Sequence, residues 1–359
     1  MKEKAMPFPL GGMDDFQIYL PPEDLDEKTA MLQVRRFNDA NRQFAEKFSF
    51  PSKMPVISAS FVYAHPADYR GKPMLHAEVP EWQAELRRLK TMHIDSVIFQ
   101  AALWRELDEC FYRSNSCSSM KQYPVIENLL AAAQQENIRV YLGGYGSVAG
   151  WAEHFSEKEL EEELAGHRRC FHELKNFPSI AGFYFPCETS YADRRLPEKE
   201  QRMRILYRNF SDMVKNCNPD LKIIISPATM HRPERNPEFI EFWNAILKDT
   251  QIDILMPQDC IGNCCSHLEE IPAQWRAWRK IADENKMKLW SHTELFERRS
   301  FYEPVNLYPA SPRRVAAQLA LTAPYAERHC CWEALHFASA DAGVEGVILQ
   351  NYLQSGKFA

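Results

Sequence analysis

The sequence lacks the features that mark several large classes of protein. Its 43 Lys and Arg against 49 Asp and Glu leave a formal net charge of -6, so nothing in its charge attracts a nucleic-acid backbone. No apolar run approaches the roughly 20 residues that a membrane-spanning helix needs, and residues 1–15 lack the apolar centre of a secretory signal. We therefore expect a cytoplasmic protein that has neither nucleic acid nor a membrane as its partner.

Motifs for common cofactors and nucleophiles are also missing. There is no P-loop, no G-x-S-x-G and no H-E-x-x-H, and the glycines of residues 143–146 lack the spacing of a dinucleotide-binding loop. The ten cysteines show no paired C-x-x-C spacing, which favours reduced thiols over disulfides or a zinc site. The sequence thus predicts no bound cofactor.

What the sequence does contain is a regular alternation of short apolar runs with longer segments of helical period. The eight runs are residues 56–63, 96–100, 139–144, 180–185, 222–226, 252–256, 288–292 and about 330–332. Such alternation is typical of a parallel sheet covered by helices, and a chain of 359 residues suits eight units. We predict an α/β protein, a (β/α)8 TIM barrel, closed by a helix or strand over residues 344–352.

The region before the first run has a different character. It carries Leu32, Phe37, Phe44 and Phe48 on a charged stretch without proline, the pattern of one amphipathic helix. We predict an N-terminal helical extension over residues 1–52, packed on a barrel that spans residues 53–359. The long segments of the barrel follow its strands, at residues 65–80, 104–124, 188–197 and 294–309, which places the site at the carboxyl ends of the strands.

Two glutamates at those ends suggest a reaction. Glu188 follows the fourth strand and Glu294 follows the seventh, on roughly opposite walls of a closed barrel. Glycoside hydrolysis needs two carboxyl groups that flank one bond, one protonated and one ionised. We predict Glu188 as the general acid/base and Glu294 as the nucleophile; either could instead be a solvated or helix-capping loop glutamate.

Other polar residues follow the same strands. Gln258 and Asp259 could bind sugar hydroxyls, Asp259 could orient a histidine, or both could serve the turn after strand six. His292 shares one face of its strand with Glu294 and could hold it by a hydrogen bond, or be a satisfied core histidine. Glu333 suits a site residue or a salt bridge at the rim.

Aromatic residues also follow strands, where a flat ring can pack on the apolar face of a sugar. The aromatic residues in such positions are Tyr63, Trp104, Tyr145, Trp151, Phe296 and Trp332. Of these we predict Tyr63, Trp104, Tyr145 and Trp332 as substrate-binding residues, together with Gln100 at the end of strand two.

Three segments resemble a known family. Residues 182–188 (GFYFPCE), 254–262 (ILMPQDCIG) and 290–297 (WSHTELFE) are similar to strand-end motifs of glycosyl-hydrolase-like TIM barrels classed as a domain of unknown function, number 4434. Trp332 and Glu333 look like its last strand. The resemblance implies the glycosidase superfamily, whose retaining enzymes place the acid/base after strand four and the nucleophile after strand seven. Those enzymes usually have Asn before the acid/base, where Cys187 stands here.

Two further hypotheses remain open beside a glycosidase that acts on an oligosaccharide or glycoside. The unusual Cys187 suits a barrel that binds carbohydrate without cleaving it. Alternatively, Glu188, His231, Asp259 and Glu294 could hold a hard divalent cation for a sugar isomerase or lyase.

Overall fold

The computed structural model describes residues 27–64, 73–147, 149, 155–299 and 307–358. Eight parallel strands pair in chain order, and the last pairs with the first. They are β1 (Ala59–Val62), β2 (Ser96–Phe99), β3 (Arg139–Gly143), β4 (Ile180–Phe185), β5 (Lys222–Ile225), β6 (Ile254–Leu255), β7 (Lys288–Glu294) and β8 (Arg328–Trp332). The closed barrel confirms the predicted (β/α)8 fold.

Ten helices lie in the described part of the chain. They are α1 (Glu27–Lys47), α2 (Val79–Thr91), α3 (Val125–Glu136), α4 (Glu157–Leu174), α5 (Pro197–Cys217), α6 (Asn236–Leu247), α7 (Ile271–Glu284), α8 (Pro312–Thr322), α9 (Ala334–Phe337) and α10 (Gly343–Ser355). The closing segment is thus a helix rather than a strand. Among these described helices, none combines the length and apolar character required to cross a bilayer.

Local sequence explains where the elements begin and end. The Ser156 hydroxyl caps α4 and Glu159 returns the bond, as the capping-box pattern predicts. Proline follows β4, β5 and β6 within two residues, at Pro186, Pro227 and Pro257. Because proline has no N–H to donate, the strand ladder cannot continue in its regular form there. Regular pairing of β6 therefore ends at Leu255, whereas β7, which has no proline, pairs with β8 as far as Glu294.

The apolar residues form two layers with the sheet between them. One cluster lies between strands and helices, and a smaller cluster fills the barrel lumen. The lumen cluster consists of Ala59, Phe61, Ile98, Tyr141, Tyr184, Ile224, Ile254, Met256, Trp290 and Cys330. Because side chains alternate across a strand, these residues identify which neighbours at the strand ends face the lumen.

Helix α1 contacts the barrel through its second half. The side chain of Asn38 donates to the main-chain oxygen of Arg298 at 2.8 Å, and Asn41 accepts from the main-chain N–H of Leu268 at 2.8 Å. Phe37 packs on the ring of His267, whereas Leu32, expected on the apolar face, is 43% exposed. The division into an extension and a barrel domain at residue 52 stays a prediction.

Candidate active site

Hydrogen bonds join the ends of four barrel strands, β4 to β7, at the carboxyl end of the lumen. The side-chain N–H group of Gln258 donates to Glu188 Oε1 at 2.9 Å and to the main-chain oxygen of Ser226 at 2.9 Å. The Ser226 hydroxyl bonds Nδ1 of His292 at 2.8 Å. Isolated bridges from Ala228 to Gln258 and from Gln258 to His292 extend the barrel to this level. The fold therefore brings Glu188, Gln258 and His292 together, although they are far apart in sequence.

His292 is a neutral side chain in the wall of the lumen. It is 2% exposed and stacks on Phe61 with ring centroids 4.7 Å apart. Burial lowers its pKa to about 3, so the ring is uncharged at neutral pH. Its Nδ1 pairs with Ser226 and not with Glu294, which corrects the expected bond between the two, and its Nε2 has no hydrogen-bond partner among the described residues.

An aromatic surface adjoins His292. Trp332 packs edge-on against Tyr63, with ring centroids 4.6 Å apart, and at a tilt against Phe61, at 5.4 Å. Both Trp332 and Tyr63 are partly exposed. Gln100 lies after β2, is 7% exposed, and its Oε1 lacks a hydrogen-bond partner in the described part of the chain. Buried polar atoms are almost always hydrogen-bonded in folded proteins. His292 Nε2 and Gln100 Oε1 therefore mark places where a ligand could supply the missing partner.

Glu294 ends β7 on the same side of the strand as Trp290 and His292. It is 4% exposed, and its Oε2 accepts the main-chain N–H of Asn263 at 2.8 Å. Burial raises the pKa of Glu294 well above its ordinary value, and the nearby Asp259 carboxyl raises it further. The Asn263 N–H and the charges of Arg314 and Arg298 oppose this rise without cancelling it.

Asp259 lies behind the site rather than in it. Its side chain is 0% exposed. Its Oδ1 accepts hydrogen bonds from the main-chain N–H groups of Ile261 at 3.2 Å and Glu294 at 3.4 Å. Its Oδ2 accepts a hydrogen bond from the side-chain amide of Gln318 at 2.6 Å. Its partners lie in the turn after β6, in β7 and in α8. The predicted contact of Asp259 with a sugar or a histidine is therefore wrong, and its interpretation as a turn residue is right.

Two predicted aromatic contacts face another part of the protein. Tyr145 leaves the barrel to pair with Leu103 in a small side sheet, and its ring packs against His167 and the backbone of Gly166 on α4. Trp104, in the same sheet, lies against Gly146. Neither residue packs against the lumen cluster, so their positions do not favour the predicted substrate contacts.

The remaining predicted residues have other surroundings. Glu333 precedes α9 and is buried. Burial raises the pKa of the Cys331 thiol, which belongs to the outer apolar cluster, and the charge of Glu333 raises it further. This position does not favour a direct substrate contact. Phe296 packs in the same cluster, and Trp151 lies outside the described residues.

The residues of the metal hypothesis do not converge. His231 stacks on Phe239 with ring centroids 3.6 Å apart, and its Nε2 bonds Asn236 at 2.8 Å, so it faces α6. Asp259 is enclosed by the turn after β6, by β7 and by α8. Over the described ranges, no group of three or more His, Cys, Asp or Glu side chains is arranged to hold a metal ion.

Four residues of the site were not predicted. Ser226 directly follows β5 on the lumen side, so strand alternation alone could have identified it. Asn263, Arg314 and Gln318 surround Glu294 and Asp259 from the loop after β6 and from α8. No local motif marks them, because their contact depends on how α8 lies against the barrel.

Solved structures with the same fold include several glycosidases. A proposed alpha-L-fucosidase from Bacteroides thetaiotaomicron VPI-5482 has a TM-score of 0.68 at 18% identity, covering 86% of this chain and 97% of that one. A polyextremophilic beta-galactosidase from Halorubrum lacusprofundi has a TM-score of 0.54 at 9% identity, covering 84% and 57%. An endo-beta-1,4-mannanase from Thermotoga petrophila has a TM-score of 0.50 at 11% identity, covering 85% and 78%. At these identities the likeness shows the fold alone.

Sequence comparison is more specific. No curated protein matches the sequence. A family model described as "Domain of unknown function (DUF4434)" matches residues 75–342, which include β2 to β8 and both candidate glutamates. Because this match covers most of the chain, the protein belongs to the DUF4434 family.

Proposed function

We propose that this chain is a glycoside hydrolase in which Glu188 and Glu294 are the two catalytic carboxyl groups. The observation that carries the proposal is the bonded series from Glu188 through Gln258 and Ser226 to His292, two residues before Glu294 on the same side of β7. A reaction that needs one acid and one ionised carboxylate suits this arrangement of carboxyl groups and neutral polar side chains.

The neighbouring side chains suit a sugar as the ligand. Trp332 and Tyr63 offer partly exposed aromatic surface for the apolar face of a ring. His292 Nε2, Gln100 Oε1 and the Gln258 amide can bond hydroxyl groups. The related structures are described as acting on different sugars, which supports a glycoside or oligosaccharide as the substrate class without favouring one sugar.

The proposal is tested with a panel of aryl glycosides and oligosaccharides and three variants. Glu188→Gln and Glu294→Gln keep the size of each side chain but remove its acid–base function, and each should lower turnover by roughly 10²–10⁴-fold. Glu161→Gln, an exposed glutamate on α4, is the matched control and should retain wild-type activity. Wild-type turnover of a confirmed substrate by both site variants would refute the proposal.

A barrel that binds carbohydrate without cleaving it is the second candidate. Cys187, at the position where the resembling enzymes usually have Asn, is fully buried in the outer cluster and does not reach the lumen. It therefore cannot supply a contact to bound sugar. Glycan binding measured by calorimetry, with no product from any member of the panel, would favour this alternative over hydrolysis.

A further inference from the structure

Two carboxyl groups are enclosed together at one end of the site. The Asp259 side chain accepts the main-chain N–H of Glu294 at 3.4 Å, and both residues are almost completely shielded from solvent. Two buried carboxylates repel each other and lose their hydration, so such a pair tends to keep one proton.

Two arginines near this pair donate hydrogen bonds to neutral oxygen atoms. Buried Arg314 donates to the main-chain oxygens of Glu294 at 3.0 Å and Phe296 at 2.5 Å, not to either carboxyl group. Arg298 donates two hydrogen bonds to the Asn263 side-chain oxygen, at 3.0 and 2.6 Å. Among the residues that the structure describes, the ionisable groups near the pair also include Glu297, Cys260, Cys264 and Cys265. Neither carboxyl group receives a hydrogen bond from Arg314 and both are shielded from water, so a proton on one of them removes most of the repulsion between them.

Of the two carboxyl groups, Glu294 is the better holder of that proton. Asp259 accepts three N–H groups, from Ile261, Glu294 and Gln318, and hydrogen bonds of this kind stabilise the charged form. Glu294 accepts one, from Asn263. The direction of the pKa shifts agrees, since both are raised and that of Glu294 is raised more.

We propose that Glu294 carries a proton in the resting protein because Asp259 lies behind it, and that Glu294 is the proton donor while Glu188 is the ionised partner. This reverses the division of roles that the family resemblance implied, and its chemical part rests on the proposed function. The bond from the anomeric carbon to the leaving oxygen breaks with its electron pair on oxygen, which takes the Glu294 proton. Water then supplies both the hydroxyl of the sugar product and the proton that restores Glu294.

Asp259 is a positioning residue in this scheme, because it acts through Glu294 and touches no substrate. Asp259→Asn removes its charge with little change of shape. The new amide N–H would face the Gln318 N–H group, but Gln318 Oε1 has no partner among the described residues, so a flip of the Gln318 amide restores the bond. We therefore expect this variant to fold, which a circular dichroism melt checks.

Infrared difference spectroscopy tests the proposal without any substrate. A protonated carboxyl gives a C=O stretch that a carboxylate lacks, so wild type at neutral pH should show a band that Glu294→Gln removes and Glu188→Gln retains. In Asp259→Asn the same band should titrate at lower pH, by roughly one to two pH units. Glu161→Gln serves as the control that changes a carboxyl group elsewhere.

Each outcome decides the proposal. A band lost in Glu188→Gln instead, a spectrum unchanged in Glu294→Gln, or a titration that Asp259→Asn leaves in place would overturn it. If the band behaves as expected while no glycoside is hydrolysed, the proton assignment stands and the proposed function fails. If hydrolysis needs both glutamates while the band is absent, the function stands and this assignment fails.

Discussion

Glu188 and Glu294 are the same side chain at the ends of two barrel strands, yet their surroundings differ. Glu188 is partly exposed and accepts a hydrogen bond from the Gln258 side chain, which lines the lumen. Glu294 is almost fully buried, with the Asp259 carboxyl behind it. The place of a residue at a strand end therefore decides whether it reaches the mouth of the barrel. In the proposed scheme, the residues packed behind the strand decide which glutamate holds a proton.

The activities of the Glu188 and Glu294 variants should differ most in how they depend on the leaving group of the substrate. Loss of a proton donor lowers the rate of bond cleavage only slightly when the leaving group is stable as an anion. Glu294→Ala should therefore lose roughly 10²–10⁴-fold on an alkyl glycoside but much less on a dinitrophenyl glycoside, whereas Glu188→Ala should lose activity on both. Steady-state kinetics on the two substrates measures this. The opposite pattern would return the donor role to Glu188.

Stability should depend on pH through Glu294. The pKa of Glu294 is raised in the folded chain. Its contribution to the free energy of unfolding is therefore fully present below the ordinary glutamate pKa of about 4, and it is lost as the pH rises through the raised pKa. From pH 5 to 8, urea unfolding should show wild type losing stability relative to Glu294→Gln by on the order of 2–4 kcal/mol. Parallel curves for the two proteins would contradict the raised pKa.

Substitution of His292 should have a smaller effect, on kcat/KM, through the loss of a contact with the substrate. His292→Phe keeps a ring to stack on Phe61 but removes Nε2, so kcat/KM should fall roughly 10–100-fold through the loss of one buried hydrogen bond to a sugar hydroxyl. Ser226→Ala removes only the partner of Nδ1 and should cost less. Equal losses in both variants would indicate that His292 supports the wall and does not bind the sugar.

The smallest effect concerns the loop that carries Asn263. A Cβ on Gly262 would lie 2.2 Å from the main-chain oxygen of Phe296 and 3.1 Å from Glu294 Oε2, whereas a Cβ on Gly144 meets nothing closer than 3.7 Å. Gly262→Ala should therefore destabilise the protein by about 1–3 kcal/mol, and Gly144→Ala should change stability far less. Thermal melts of both variants compare them; equal melting points would show that the loop yields freely.

Strand alternation accounts for most of what the sequence could predict. Eight apolar runs separated by helical segments are a local signal, so the barrel and the strand-end positions of Glu188, Gln258, His292 and Glu294 follow from them. The same rule would have excluded Asp259, because a residue next to Gln258 faces the other side.

Other features depend on contacts that close only in the folded chain. Tyr145 was misplaced because the chain leaves the barrel after β3 to pair with Leu103, which no local pattern signals. Arg314 and Gln318 lie one turn apart on α8, but which face of that helix meets β7 depends on the closed barrel. Long-range packing therefore determined the surroundings of Glu294, and with them its proton affinity.

The proposed roles require that Glu188 and Glu294 differ in charge at neutral pH. Carbon-13 NMR of protein labelled at the glutamate side-chain carboxyl carbon, with Glu188→Gln and Glu294→Gln spectra to assign the two signals, observes both groups in one sample. Under the proposal, we expect a Glu294 signal that still has the chemical shift of a protonated carboxyl at neutral pH, and a Glu188 signal with the shift of an ionised one. A protonated Glu188 beside an ionised Glu294 would contradict it.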